Sequence, residues 1–165
     1  MKTVMLLRHG KSDWASDTGS DRDRPLAKRG QRAARLIGEM LAEAGLMPAA
    51  AVTSPAVRAH TTLELAMKAG GWMCPVQVSE ALYGEGPFAV LEELTRQPDE
   101  AARLLLVGHE PTWSEVTGLL VGGGNHRVPT GALVGIELEI DRWADAGPGG
   151  GQLAFLLPPR LFDHE

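Results

Sequence analysis

Apolar and polar positions along this chain follow two rhythms. Short, nearly unbroken apolar runs at residues 4–7, 49–53 and 103–107 are too short to span a membrane and read as buried strands. Between them, apolar residues recur at helical spacing. Leu26, Ala33, Ala34, Ile37, Met40, Leu41 and Ala44 line one side of a helix opened by Pro25-Leu26 and stopped by Gly45 and Pro48. Lys28, Arg29, Arg32 and Arg35 take its other faces and read as solvated. Val57, Thr61 and Leu65 predict a second helix, with Ser54 as N-cap, Pro55 near the first helical position and Gly70-Gly71 as breaker. An edge strand at 75–78, a loop at 80–86 and helices at 87–96 and 111–120 follow. Two further strands, at 133–140 and 152–157, flank a glycine-rich turn. Strands alternating with helices predict an α/β fold, a three-layer sandwich with a largely parallel sheet and one antiparallel strand.

Composition narrows the partners. A chain of 165 residues with 44% hydrophobic and 22% charged residues suits one soluble domain over residues 1–165. Its net charge of −5 argues against a nucleic-acid partner, so any anion site must be local, built from a few basic side chains. Cys74 is the only cysteine, which rules out an intramolecular disulfide and favours a reducing compartment. The N-terminal apolar run lacks a small-residue cleavage pattern, and no segment is apolar for long enough to cross a bilayer. A cytoplasmic protein with no membrane partner is expected. The oligomeric state stays open.

Chemistry gathers where the strands stop. The first run ends in Arg8-His9-Gly10, the second leads into Ser54-Pro55-Ala56-Val57-Arg58, and the run at 103–107 ends in Gly108-His109-Glu110. Ligands of open α/β sheets collect outside the carboxyl ends of strands. Arg58 falls in the first turn of a helix, where the macrodipole disfavours a cation, and local rules tend to break at working sites. Two arginines and two histidines on one sheet edge suit a phosphoryl group: arginine grips its oxygens with forked donors, and histidine can be nucleophile, acid or cation near neutral pH. A metallohydrolase built on His9 and His109 fits less well, because no His-x-His or His-Glu-x-x-His spacing is present. The charged segment 13–24 reads as a mobile loop at the mouth of the site, and the four tryptophans as packing. His60 reads as a packed or half-exposed helix residue, His126 as a loop residue and His164 as tail.

Leu7-Arg8-His9-Gly10, Ser54-Pro55-Ala56-Val57-Arg58-Ala59 with Thr62, and Val107-Gly108-His109 together resemble the histidine phosphatase superfamily, with its phosphoglycerate-mutase-like fold. Lys11-Ser12-Asp13-Trp14, Arg24-Pro25-Leu26, Arg29-Gly30 and Pro129-Thr130-Gly131-Ala132 make the chain most similar to the small SixA-type phosphohistidine phosphatases. The resemblance implies that His9 is a nucleophile that becomes phosphorylated, and that Arg8, Arg58 and a cationic His109 clamp the phosphoryl oxygens. Lys11 and Ser12 are expected as second-rank phosphate contacts, because the loop after Gly10 must pass close to the site. Glu80, in Glu80-Ala81-Leu82-Tyr83-Gly84, matches the glutamate that larger members place before x-x-Tyr-Gly and would be the general acid, with Glu85 in reserve. Small members often lack such a residue. They commonly carry asparagine where this chain has Glu110, and a carboxylate there would have to point away from phosphate. No metal or other cofactor is implied. The expected substrate is a phosphohistidine on a protein, the alternatives a small phosphomonoester or a binding module that has lost turnover.

Overall fold

A computed structural model describes residues 1–17 and 19–163. Its centre is a six-stranded sheet. The strands are β1 (Lys2–Arg8), β2 (Ala50–Thr53), β3 (Val76–Val78), β4 (Arg103–Gly108), β5 (Leu133–Leu138) and β6 (Gly151–Leu157), in the spatial order β3-β2-β4-β1-β5-β6. β1 to β4 run parallel, β5 runs antiparallel to β1, and β6 runs antiparallel to β5. A single strand therefore opposes the rest, as the alternation of elements predicts.

The unbroken apolar runs have a simple cause: both faces of the sheet are covered. Side chains of a strand alternate between faces. Met5, Leu7, Leu105 and Val107 pack with Ile37, Leu41, Leu63 and Ala66 of helices α1 (Lys28–Glu43) and α2 (Val57–Gly70). Val4, Leu6, Leu104 and Leu106 pack instead with Val90 and Leu94 of α3 (Pro87–Thr95) and with Trp113, Val116 and Leu120 of α4 (Thr112–Val121). One pair of helices lies on each face, so the parallel strands open a crevice at their carboxyl ends. Among the described residues, no helix is long and apolar enough to cross a membrane.

Register fixes what meets at that crevice. Leu7 pairs with Val107, which also pairs with Thr53, and Arg8 pairs with Gly108. Three strands thus end level, and the next residues of β1 and β4 are His9 and His109. Two elements depart from the sequence pattern. The helix expected from Pro25 begins at Lys28, because Asp13 N donates to Pro25 O at 2.8 Å and Ala27 N to Lys11 O at 2.8 Å. That stretch stays extended against the chain following His9. The segment expected as a plain loop at 80–86 starts with a 3-10 turn, Glu80–Leu82, capped by Ser79 Oγ on Ala81 N.

Candidate active site

His9 is fixed by its own backbone. Its N donates to Gly108 O at 3.1 Å and its carbonyl accepts from Gly131 N at 2.9 Å, which ties it to β4 and to the turn before β5. Gly10 then passes close to α1: a Cβ there would stand 2.5 Å from Gly30 O. Gly10 N donates to Thr62 Oγ1 at 3.2 Å, and that hydroxyl donates to Arg58 O at 2.7 Å. The first turn of α2, which carries Arg58, is thereby locked to the His9 segment.

The His9 ring has a defined tautomer. Nδ1 lies 2.7 Å from Gly10 O, and a carbonyl can only accept, so Nδ1 carries the proton. Nε2 keeps its lone pair and makes no hydrogen bond among the described residues. Burial, joined by the charges of Arg58, Arg8 and Arg24, pulls the His9 pKa down to about 4 against the opposing bond to Gly10. The imidazole is neutral at neutral pH, as a nucleophile must be.

His109 stands beside it, with ring centroids 5.1 Å apart. Its Nε2 meets Ser54 Oγ at 2.7 Å, and the same hydroxyl oxygen accepts from Ala56 N at 3.1 Å. Ser54 therefore braces His109 as well as the entry to α2, which begins at Val57. Burial first, then the neighbouring His9 and Arg58, bring the His109 pKa to about 3. Without an anion beside them, two buried imidazoles among arginines are both neutral near pH 7, whereas the family resemblance implies a cationic His109 with phosphate in place.

A cavity of about 230 Å³ joins these groups. Arg8, His9, Lys11, Ser12, Arg58 and His109 all line it, so six of the seven residues anticipated from the sequence share one wall. Arg8 Nη1 donates to Val128 O at 2.9 Å. Arg8 Nε, Arg58 Nε and His109 Nδ1 are buried without a hydrogen-bond partner. Buried polar groups are normally paired. A cluster of unmet ones around a cavity suits an anion rich in acceptor oxygens.

Glu80, the seventh, lies elsewhere. Its carboxylate is exposed and takes both Nη groups of Arg22, at 2.8 and 3.0 Å. The hydrogen bond from Arg22 holds its pKa below the usual carboxylate value. A carboxylate kept ionised by a guanidinium is poorly placed to donate a proton. Glu85 is exposed and outside the cavity wall. Glu110 does border the cavity, but its carboxylate accepts from Ser114 N at 2.7 Å and also from Ser114 Oγ, which turns its charge to the start of α4.

Two residues of the site carry little signal of their own in the sequence. Arg24 lines the cavity, donates from Nε to Ser12 Oγ at 3.1 Å, and lies 3.6 Å over the ring of Trp14. Its place beside Pro25-Leu26 is the one available hint, because that stretch pairs with the chain at Ser12. Trp14, 71% exposed, is a platform at the cavity and not packing, unlike the buried Trp72, Trp113 and Trp143. Asp21 takes Arg58 Nη2 at 3.0 Å, Arg24 Nη1 at 2.6 Å and the Tyr83 hydroxyl at 2.5 Å, while its carbonyl takes Arg58 Nη1 at 2.7 Å. These bonds, led by Tyr83, hold its pKa far below the ordinary carboxylate range. The charged segment is thus strapped across the first turn of α2. His60 pairs with Glu64, His126 Nε2 lies 2.9 Å from Gly123 O, and His164 lies outside the described residues. Among the described residues, no three His, Cys, Asp or Glu side chains form a cluster able to hold a metal ion.

Known proteins resemble this chain in sequence and in fold. An uncharacterised protein of Mycobacterium tuberculosis is 37% identical over 166 residues, covering 93% of this chain and 100% of its own length. A solved structure assigned as the phosphohistidine phosphatase SixA of Nakamurella multipartitia matches with a TM-score of 0.82 and 29% identity, over 96% of each chain. The tungstate complex of the protein histidine phosphatase SixA has the same fold, with a TM-score of 0.82 over 98% of this chain and 99% of the other at 23% identity. The family model, matching residues 4–115 from β1 into α4, takes in His9 and His109 as well as Arg8 and Arg58. By that match the chain belongs to the histidine phosphatase superfamily, branch 1.

Proposed function

We propose that this phosphatase works through a phosphohistidine on His9 and removes phosphate from phosphohistidine in another protein. The observation that carries the reading is the state of His9: neutral, with its proton anchored on Gly10 and Nε2 unengaged beside Arg8, Arg58 and His109. In the first step Nε2 attacks phosphorus, the P–N bond to the substrate imidazole breaks, and that imidazole leaves carrying a proton on its other nitrogen. In the second, water attacks phosphorus, the bond to His9 breaks, and the water's proton passes to solvent as inorganic phosphate departs. Phosphoryl transfer demands chiefly positioning and charge neutralisation, which Arg8, Arg24, Arg58, Lys11, Ser12 and His109 are arranged to supply. A dianion drawn against His109 raises its proton affinity, so the cationic form anticipated from the family would arise with substrate in place.

The leaving group favours a P–N substrate. An alkoxide must be protonated as it departs, and Glu80 is tied to Arg22 and so unsuited to that task. An imidazole needs no such donor. The similarity to an assigned SixA protein points the same way, and a single cysteine agrees with action in the cytoplasm.

A turnover screen tests this. Phosphohistidine peptide and phosphoramidate are expected to outpace alkyl phosphates, with and without EDTA, and rapid quenching is expected to trap an acid-labile label on the wild type but not on His9→Ala. Label retained on His9→Ala would remove His9 as nucleophile. Faster turnover of alkyl esters would move the substrate to a small phosphomonoester, and no turnover of any compound would leave a phosphate-binding module.

A further inference from the structure

A second cleft, of about 290 Å³, adjoins the first and shares Lys11 and Thr130 with it. Its floor is apolar, made by Ala33, Leu36 and the prolines Pro129, Pro158 and Pro159. Its rim is basic. Lys11 follows the His9-Gly10 pair, Arg29 stands in the first turn of α1, and Arg160 belongs to the 3-10 turn Pro159–Leu161. All three are exposed, and no side-chain hydrogen bond or ion pair holds any of them among the described residues. Among the described residues, the one acidic lining residue is Asp163, which is paired with Arg32.

Three cations without a side-chain partner around one cleft run against the balance of a chain whose net charge is −5, and two of them, Arg29 and Arg160, lie outside the His9 cavity. They also run against local preference, since α1 has no acidic residue in its first turn and carries Lys28 and Arg29 there. The cleft is firmly built: a Cβ on Gly131 would stand 3.2 Å from both Ala33 Cβ and Pro159 Cγ, so three segments meet at its base.

We propose that this cleft is the subsite for an acidic residue flanking the phosphorylated side chain of a polypeptide substrate. The assignment rests on the proposed function and extends it from a phosphorylated group to a sequence context. With the phosphoryl group at His9, the substrate backbone crosses Lys11 and Thr130, the two residues common to both cavities. A neighbouring Asp or Glu then reaches Arg29 and Arg160, while its aliphatic stem lies on the prolines. Exposed ion pairs are individually weak, so the effect is a preference and not an absolute requirement.

The test uses the full chain and paired phosphohistidine peptides that differ only in flanking Glu against Gln. Wild type is expected to favour the acidic peptide about fivefold to tenfold in kcat/KM, the size that two exposed ion pairs supply. The double variant Arg29→Ser, Arg160→Ser is expected to lose that preference and keep phosphoramidate turnover, which reports on folding and on the His9 site. Arg29→Glu with Arg160→Glu is expected to shift the preference to Lys-flanked peptide. Equal turnover of both peptides by wild type, or a preference that survives the double variant, overturns the proposal. If phosphohistidine peptides are inert but phosphoserine peptides react, the phosphohistidine reading fails, and the same Glu and Gln pair in phosphoserine form decides the cleft. Turnover of phosphoramidate with no turnover of any peptide overturns the cleft and leaves the His9 mechanism standing.

Discussion

Arg58 illustrates how much of this site is set by a residue, Asp21, that the sequence does not single out. Its side chain is buried, yet both Nη groups point to Asp21, one to the carboxylate and one to the backbone carbonyl. The same carboxylate takes Arg24 and the Tyr83 hydroxyl, so two cationic side chains that border the cavity are aligned by one loop residue. Asp21→Ala removes the carboxylate acceptor and leaves the carbonyl. Arg58 then loses one of two anchors, and on the proposed mechanism a guanidinium free to swing grips phosphate less well. We expect kcat/KM for phosphoramidate to fall on the order of tenfold, short of the hundredfold that a full ångström of misplacement costs. Asp21→Asn keeps an oxygen that can accept from Arg58 and is expected to recover most of the loss. Steady-state kinetics on the two variants separate positioning from a general loss of structure, which would strike both. A wild-type value for Asp21→Ala would mean that the packing around Arg58 holds it without help. No reading of the sequence singles out Asp21, because a loop with several aspartates and arginines offers no rule for which of them will pair.

At the scale of elements, the strand-end motifs are legible because they obey general constraints. An apolar run that stops at Arg8-His9-Gly10 must end where the core ends, and parallel register carries His109 to the same level. Contacts between backbones are less legible, since they show only as glycines of unstated purpose. Gly30 and Gly38 sit eight residues apart on α1, and each meets a different backbone. A Cβ on Gly38 would stand 2.0 Å from Ala66 O of α2, and a Cβ on Gly30 would stand 2.2 Å from Lys11 O. Neither neighbour is a flexible side-chain tip, so something larger must move. Gly38→Ala forces two helices apart far from the cavity, at about 1–3 kcal/mol, the usual cost of overpacking. Its urea midpoint is expected to drop while kcat/KM per folded molecule stays near wild type. Gly30→Ala instead pushes the segment that carries Lys11 and Ser12, and is expected to lower kcat/KM of the folded protein on the order of tenfold. The reverse pattern, an impaired Gly38→Ala beside an active Gly30→Ala, would show that the segment after His9 adjusts freely. Glu80 marks the opposite limit of sequence reasoning. Its spacing before Tyr83-Gly84 is right, but only the placement of Arg22 decides whether its carboxyl can hold a proton.

For the whole molecule, the cost of the site is a dependence of stability on pH. Two imidazoles are buried beside arginines, His9 with a pKa of about 4 and His109 with one of about 3, against about 6.5 for histidine in an unfolded chain. Between these limits the unfolded state binds more protons than the folded one, so stability rises with pH through this window and falls as the solution is acidified. Above about pH 6.5 neither state protonates these rings, and the penalty vanishes. From there toward pH 4 it grows, by roughly 1.4 kcal/mol per pH unit for each ring that stays neutral in the folded state. Asp21 has the opposite history. Its folded pKa is depressed, so its contribution is complete above the unfolded carboxylate value and fades only in stronger acid, below the window in which the histidines act. Protonation of other carboxylates also lessens the self-repulsion of a chain with net charge −5, which works against the loss. Urea unfolding of wild type at pH 7, 5.5 and 4.5 is expected to show a falling midpoint. The double variant His9→Gln, His109→Gln keeps polar side chains that do not titrate, and its midpoint is expected to change less over the same range. Parallel decline in the two proteins would assign the pH dependence to the carboxylates and would mean that His9 and His109 titrate near their ordinary value, where a neutral nucleophile at pH 7 needs no burial to explain it.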